Sequence, residues 1–167
     1  MLLNAVDVRC IVLFGEAEDT LGKMTNHCWN IVNIEGKPCH LDITFDIGVG
    51  SANAISYDYY NVTDSQIRKD HVFSTGLPKC TEKQYGFFEQ EGLLFSSKKQ
   101  LRIYITQQVK NNSRMIYYKL ARKLKARELA DEMMSFALHK LIESGFSQVT
   151  GYQTINDTAN TCRISFR

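Results

Sequence analysis

The sequence predicts an α+β fold, on three observations. Residues 26–46, NHCWNIVNIEGKPCHLDITFD, read as two strands around a tight turn, the second alternating apolar and polar residues at the period of a strand. A β-branched run from Val8 to Phe14 precedes them, and a third strand-like stretch, ISYDYYNVT at 55–63, follows. Helical periodicity dominates only later, over 98–109 and 126–144, beside further strand-like runs. This order suggests a sheet-centred core over residues 1–95, with a mixed or antiparallel sheet, and a small α/β lobe over 96–167.

In chain order, residues 2–7 read as the last turns of a helix and 8–14 as the first strand. GEAEDTLGKMT, residues 15–25, reads as a polar connection whose acidic residues lack the order of a calcium-binding loop. Glu35-Gly36 then supplies the glycine of a two-residue hairpin turn. With that loop, paired residue numbers sum to 71, so His27 falls opposite Thr44 and Trp29 opposite Asp42. Cys39, Leu41, Ile43 and Phe45 would face one way, and His40, Asp42, Thr44 and Asp46 the other. Gly48 to Asn53 reads as a turn, 64–67 as a short helix capped by Asp64 or Ser65, and 77–81 as a loop set by Pro78.

The second lobe is more regular. Ser96-Ser97 offers an N-cap for a helix from Lys98 to about Val109 with Leu101, Ile105 and Val109 on its buried stripe. Met115 to Leu120 reads as a strand. Ala126 to Ser144 reads as a helix with Leu129, Met133, Phe136 or Ala137, and Leu141 inward, stopped at Gly145. Val149 to Phe166 reads as two strands around Asn156-Asp157-Thr158.

The chemistry concentrates in the hairpin. In the predicted register His27 and Asp42 are diagonal neighbours on one face, their Cα atoms roughly 7–8 Å apart, within reach of an imidazole and a carboxylate. A carboxylate that fixes the tautomer of a histidine is the orienting half of a nucleophile–base–acid triad. The plain alternative is a His and an Asp on the wet face of an amphipathic hairpin. The pattern His27-Cys28-Trp29-Asn30, followed across a short turn by His40-Leu41-Asp42-Ile43-Thr44-Phe45-Asp46, resembles the transglutaminase-like superfamily of papain-like fold. VRCIVLFGEA before it and SYDYYNVTDSQIRKDH after it extend the resemblance over about residues 1–80.

The resemblance implies a thiol mechanism with His27 as base and Asp42 as its partner. Trp29, Asn30 and Thr44 would support the substrate site, and His71 would serve as structural support. The family's nucleophilic cysteine heads a helix before the first strand. Its expected position here falls upstream of Met1, so the domain is expected to be N-terminally truncated and inactive as this chain. The implied reaction of the complete form is thiol acyl transfer or amide hydrolysis, with a peptide or a protein side-chain amide as substrate. A non-catalytic binding or scaffold module on the same fold is the alternative.

Composition narrows the rest. A hydrophobic fraction of 44% with 11% aromatic residues is ample for a core, and a net charge of +2 singles out no polyanionic partner. The basic cluster Lys119, Arg122, Lys123, Lys125 and Arg127 is short and is followed by acidic residues, so no nucleic acid partner is expected. No apolar run reaches the roughly 20 residues of a membrane span, and no basic leader precedes an apolar stretch. A cytoplasmic protein without a membrane partner is the expectation for the chain as written. Five cysteines without framework spacing suit a reducing compartment. Cys10 sits in a β-branched run and reads as a core thiol rather than a nucleophile. His27-Cys28 and Cys39-His40 lack zinc-site spacing, because neighbours on a strand point to opposite faces. No metal and no cofactor are expected.

Overall fold

The computed structural model describes residues 3–19, 21–49 and 55–167. It is α+β, with two four-stranded sheets, and the chain divides into two compact units at Glu91/Gly92. Leu94 and Phe95 pair inside the second unit.

The first unit is built on a sheet in the order β3-β2-β1-β4, with β1 Cys10–Glu18, β2 Met24–Ile34, β3 Lys37–Leu41 and β4 His71–Val72. A 3-10 helix, Leu3–Val6, precedes β1; Met1 and Leu2 lie outside the described residues. The connection expected over 15–25 is mostly strand. Leu13, Gly15 and Ala17 continue the inward alternation begun in the β-branched run, and β1 pairs with β2 out to Glu18↔Met24. Glu16 and Glu18, which read as loop residues, are the outward half of a strand, while Asp19 caps the turn by accepting from the Leu21 and Lys23 amides.

Glu35 and Gly36 both take positive φ, 52° and 82°, as a type I′ turn requires, and Asn33 Oδ1 accepts a hydrogen bond from the Gly36 amide at 2.8 Å. The expected register holds: Asn30 pairs with Leu41 and Ile31 with His40. The second strand, however, ends at Leu41. Residues Ile43–Val49 form helix α1, because Asp42 Oδ1 accepts the amide hydrogen of Phe45 at 3.0 Å and so acts as an N-cap. A strand through Asp46 was the reading of the alternation; the cap overrides it.

Residues 55–63 form no strand beyond a single bridge, His40↔Val62; of the turn expected over 48–53, Gly48 and Val49 belong to α1 and the rest lies outside the described residues. Helix α2, Asp64–Ile67, is capped by Thr63, one residue before the expected caps, and Gln66 Oε1 accepts from the Thr63 amide at 2.8 Å. Helix α3 is Phe87–Gln90. The core of this unit gathers Leu13, Trp29, Ile31, Tyr59, Val62, Ile67, Phe73 and Cys80. On the other face of the sheet Val12, Phe14 and Val72 are exposed, Phe14 at 78%.

The second unit is a sheet in the order β5-β6-β8-β7, formed by Leu94–Phe95, Met115–Leu120, Gly151–Asn156 (β7) and Thr161–Phe166 (β8). β5 runs parallel to β6 across helix α4, Lys98–Lys110, and β6 and β7 each pair antiparallel with β8. Ser97 Oγ accepts from the Gln100 amide as the N-cap, and Leu101, Ile105 and Val109 are buried as expected. Helix α5, Ala126–Glu143, turns Leu129, Met133, Ala137 and Leu141 inward, and Gly145 follows it at φ 95°. Arg127, from the basic cluster, pairs with Asp157 at 2.6 Å.

Candidate active site

The inner face of the first sheet carries His27, Trp29 and Ile31 from β2, since alternate residues of a strand share a face. β3 delivers His40 beside them, and the chain leaves β3 through Asp42. The Asp42 carboxylate is buried and divided between two tasks. Its Oδ1 caps α1, while its Oδ2 meets His27 Nε2 at 2.5 Å and His71 Nε2 at 3.2 Å. His71, on the edge strand β4, reaches this point because β4 pairs with β1, placing His71 opposite Ala17.

Burial alone would push the Asp42 carboxyl up. The hydrogen bonds from His71, the Phe45 amide and His27 outweigh it and hold the group below the usual carboxylate range. Behind His71 the network continues: its Nδ1 faces Asp70 Oδ1 at 2.6 Å, and Tyr59 Oη donates to Asp70 Oδ2 at 2.5 Å. Desolvation opposes the charged imidazole of His71, but Asp42 and Asp70 together raise its pKa. Phe45 packs tilted on His27 at 4.9 Å between ring centroids, and Trp29 stacks on it at 5.8 Å and 15°. The His27 side chain retains 14% exposure, whereas Asp42 and His71 are closed off. The ring is therefore shielded by aromatic surface and still open to solvent at one side.

His40 forms a second, separate arrangement. Trp29 Nε1 donates to its Nδ1 at 3.0 Å, and its Nε2 faces Asp64 Oδ1 at 2.7 Å. Nδ1 must accept, so Nε2 carries the proton, and the ring is neutral; burial, the largest influence, lowers its pKa despite Asp64. Asp46 lies close by in sequence but is turned toward the 56–59 segment, where Oδ1 accepts from Ser56 Oγ and the Tyr59 amide, both at 2.9 Å. Its Oδ2 has no partner, and burial pushes its carboxyl up to about 7.

Two groups of donors could converge on a cation: His27, Asp42 and His71, and His40, Asp64 and Cys80, each set within 4.8 Å. In the second, the Trp29 hydrogen bond leaves an N–H rather than a lone pair on His40 Nε2. In the first, both nitrogens of His71 face carboxylates. Neither histidine offers a free lone pair to a metal as arranged.

Of the residues singled out in the sequence, His27, Asp42 and Trp29 come together. Thr44 and Asn30 do not join them. Thr44, expected on a strand opposite His27, is exposed on α1, because the Asp42 cap starts a helix there. Asn30 is one residue out of phase with His27 and Trp29 on β2, and its Nδ2 donates to the Ile11 carbonyl at 3.4 Å. Phe45, expected on the opposite face, reaches His27 because a helix rather than a strand carries it. Tyr59, Asp64 and Asp70 belong to the networks and were not singled out. The usable signal was Asp42 itself, an N-capping residue type ahead of Ile-Thr-Phe-Asp.

None of the five cysteines stands beside His27. Cys28 points from the opposite face and is exposed, and Cys10 pairs with Val32, far along the ladder from the Gly15↔His27 pair. Cys39 and Cys80 are buried thiols raised by desolvation, Cys80 to about 12, and Cys162 lies in the second unit. No helix among the described residues is long and apolar enough to cross a membrane. No protein-family model matches the sequence, and no curated protein matches it.

Proposed function

We propose that His27 and Asp42 are the base and the orienting carboxylate of a transglutaminase-like thiol acyl-transfer site. The observation that carries this reading is the 2.5 Å contact between His27 Nε2 and Asp42 Oδ2, which leaves Nδ1 as the nitrogen available to a nucleophile. In the proposed reaction Nδ1 takes the proton of a thiol, and the thiolate attacks a carboxamide carbonyl. The resulting imidazolium protonates the departing amine or ammonia, and water or a second amine resolves the thioester. Trp29 and Phe45 limit the water around the ion pair. The acyl donor is a peptide or protein side-chain amide.

The thiol is supplied by none of the five cysteines, so the 167-residue chain is inactive alone and acts with a cysteine from outside it. The same observation favours a second reading, a binding module on the same scaffold, for which the exposed Val12–Phe14 face offers apolar surface. Imidazole nitrogen NMR separates the two. The base reading expects neutral His27 to be protonated on Nε2 with Nδ1 bare, and this tautomer to be lost in Asp42→Asn. A neutral ring protonated on Nδ1 would remove the base and leave the binding module. Amine incorporation into a glutamine peptide by the purified chain is expected to be undetectable; turnover abolished by His27→Ala would place the nucleophile inside the chain after all.

A further inference from the structure

His71 takes part in the site more directly than support requires. Each of its ring nitrogens faces a carboxylate oxygen, Nε2 to Asp42 Oδ2 at 3.2 Å and Nδ1 to Asp70 Oδ1 at 2.6 Å, and its side chain is fully buried. A neutral imidazole has one N–H and one lone pair, so in that form one of these contacts would set a lone pair against an anion. With both carboxylates ionised, only the doubly protonated ring satisfies both. The surrounding groups agree: Asp70 is fixed by the Tyr59 hydroxyl, His27 stands edge-on at 5.8 Å between centroids, and the neighbouring His40 is held neutral by Trp29. Trp29 and Phe45 pack on the ring at 5.0 and 4.7 Å and bring no counter-charge of their own.

We propose that His71 is a positioning residue for the His27–Asp42 pair: a buried imidazolium, clamped between Asp42 and Asp70, that keeps the Asp42 carboxylate ionised and aimed at His27. The charge sequence along the network is His27, Asp42⁻, His71⁺, Asp70⁻, with the Tyr59 hydroxyl closing the chain. His71 shares Asp42 Oδ2 with His27, so the oxygen that orients the His27 ring is itself held from its buried side. The meaning for proton transfer rests on the base reading of His27, but the clamp itself does not.

The test is imidazole nitrogen NMR on the whole chain, which separates the two layers. In the unaltered protein both nitrogens of His71 are expected to be protonated at pH 7.5, while His40 shows the neutral Nε2–H form. A neutral His71 at that pH would overturn the clamp, whatever is learned of acyl transfer. His71→Gln retains a side-chain donor toward Asp42 but no charge. In it, the Asp42 carboxyl carbon is expected to titrate at higher pH than in the unaltered protein. Asp70→Asn is expected to make His71 lose its second proton at lower pH. An Asp42 curve unmoved in a folded His71→Gln would reduce His71 to packing. If His71→Gln does not fold, the charge state of the unaltered protein and Asp70→Asn still decide the matter.

Discussion

A carboxyl that is buried with one oxygen unpartnered has a sign to its pH dependence, and Asp46 shows it. In the unfolded chain the group gives up its proton near 3.8, whereas burial holds the folded one to about 7. Between those values the folded state binds more protons than the unfolded state, so stability falls as pH rises through the window. Asp46→Asn keeps an acceptor for Ser56 Oγ and the Tyr59 amide and carries no charge. It is expected to stabilise the protein at pH 8 by on the order of 2 kcal/mol and to lose that advantage toward pH 4, measured by urea unfolding at both values. An equal effect at the two pH values would show that the charge of Asp46 is not what matters. Asp42 runs the other way: its lowered pKa contributes stability at neutral pH that is lost on acidification. Two aspartates four residues apart on one motif are thus expected to pull the stability profile in opposite directions.

At the scale of elements, the strand β1 depends on a residue with no side chain. A Cβ on Gly15 would collide with the Val72 carbonyl oxygen and stand 2.9 Å from Trp29 Cη2. Gly15→Ala is expected to cost roughly 1–3 kcal/mol in urea unfolding and to push Trp29 off His40, seen as a change in indole fluorescence. A variant as stable as its parent, with unchanged fluorescence, would mean that β4 and Trp29 yield easily. The same element shows what was legible in advance. The hairpin register followed from Glu35-Gly36 alone, and with it the meeting of His27 and Asp42, because turn geometry fixes pairing. The end of β3 was not legible from alternation: Asp42-Ile43-Thr44-Phe45 reads equally as a continuing strand and as a capped helix, and a side-chain hydrogen bond decides between them. Tyr59 and Asp70 come to the site from segments without periodicity, so only long-range packing could reveal them. In the second unit, where cap, stripe and stop signals agree, the helices were readable nearly to their ends.

At the scale of the molecule, residues 92–167 hold a core of their own, with Leu101, Ile105, Ile116, Met133 and Ile164 wholly buried around a four-stranded sheet and two helices. Expressed alone, this segment is expected to keep its helical circular dichroism and to melt cooperatively; a non-cooperative melt would show that it needs the rest of the chain. The first unit holds the whole His27–Asp42–His71–Asp70–Tyr59 network. There Asp42 gives one oxygen to the start of α1 and the other to His27. A molecule whose α1 has frayed has therefore also loosened the carboxylate that holds the His27 ring. The population in which Asp42 holds His27 at any instant is bounded by the population in which the Phe45 amide is protected, and deuterium exchange at that one amide counts it.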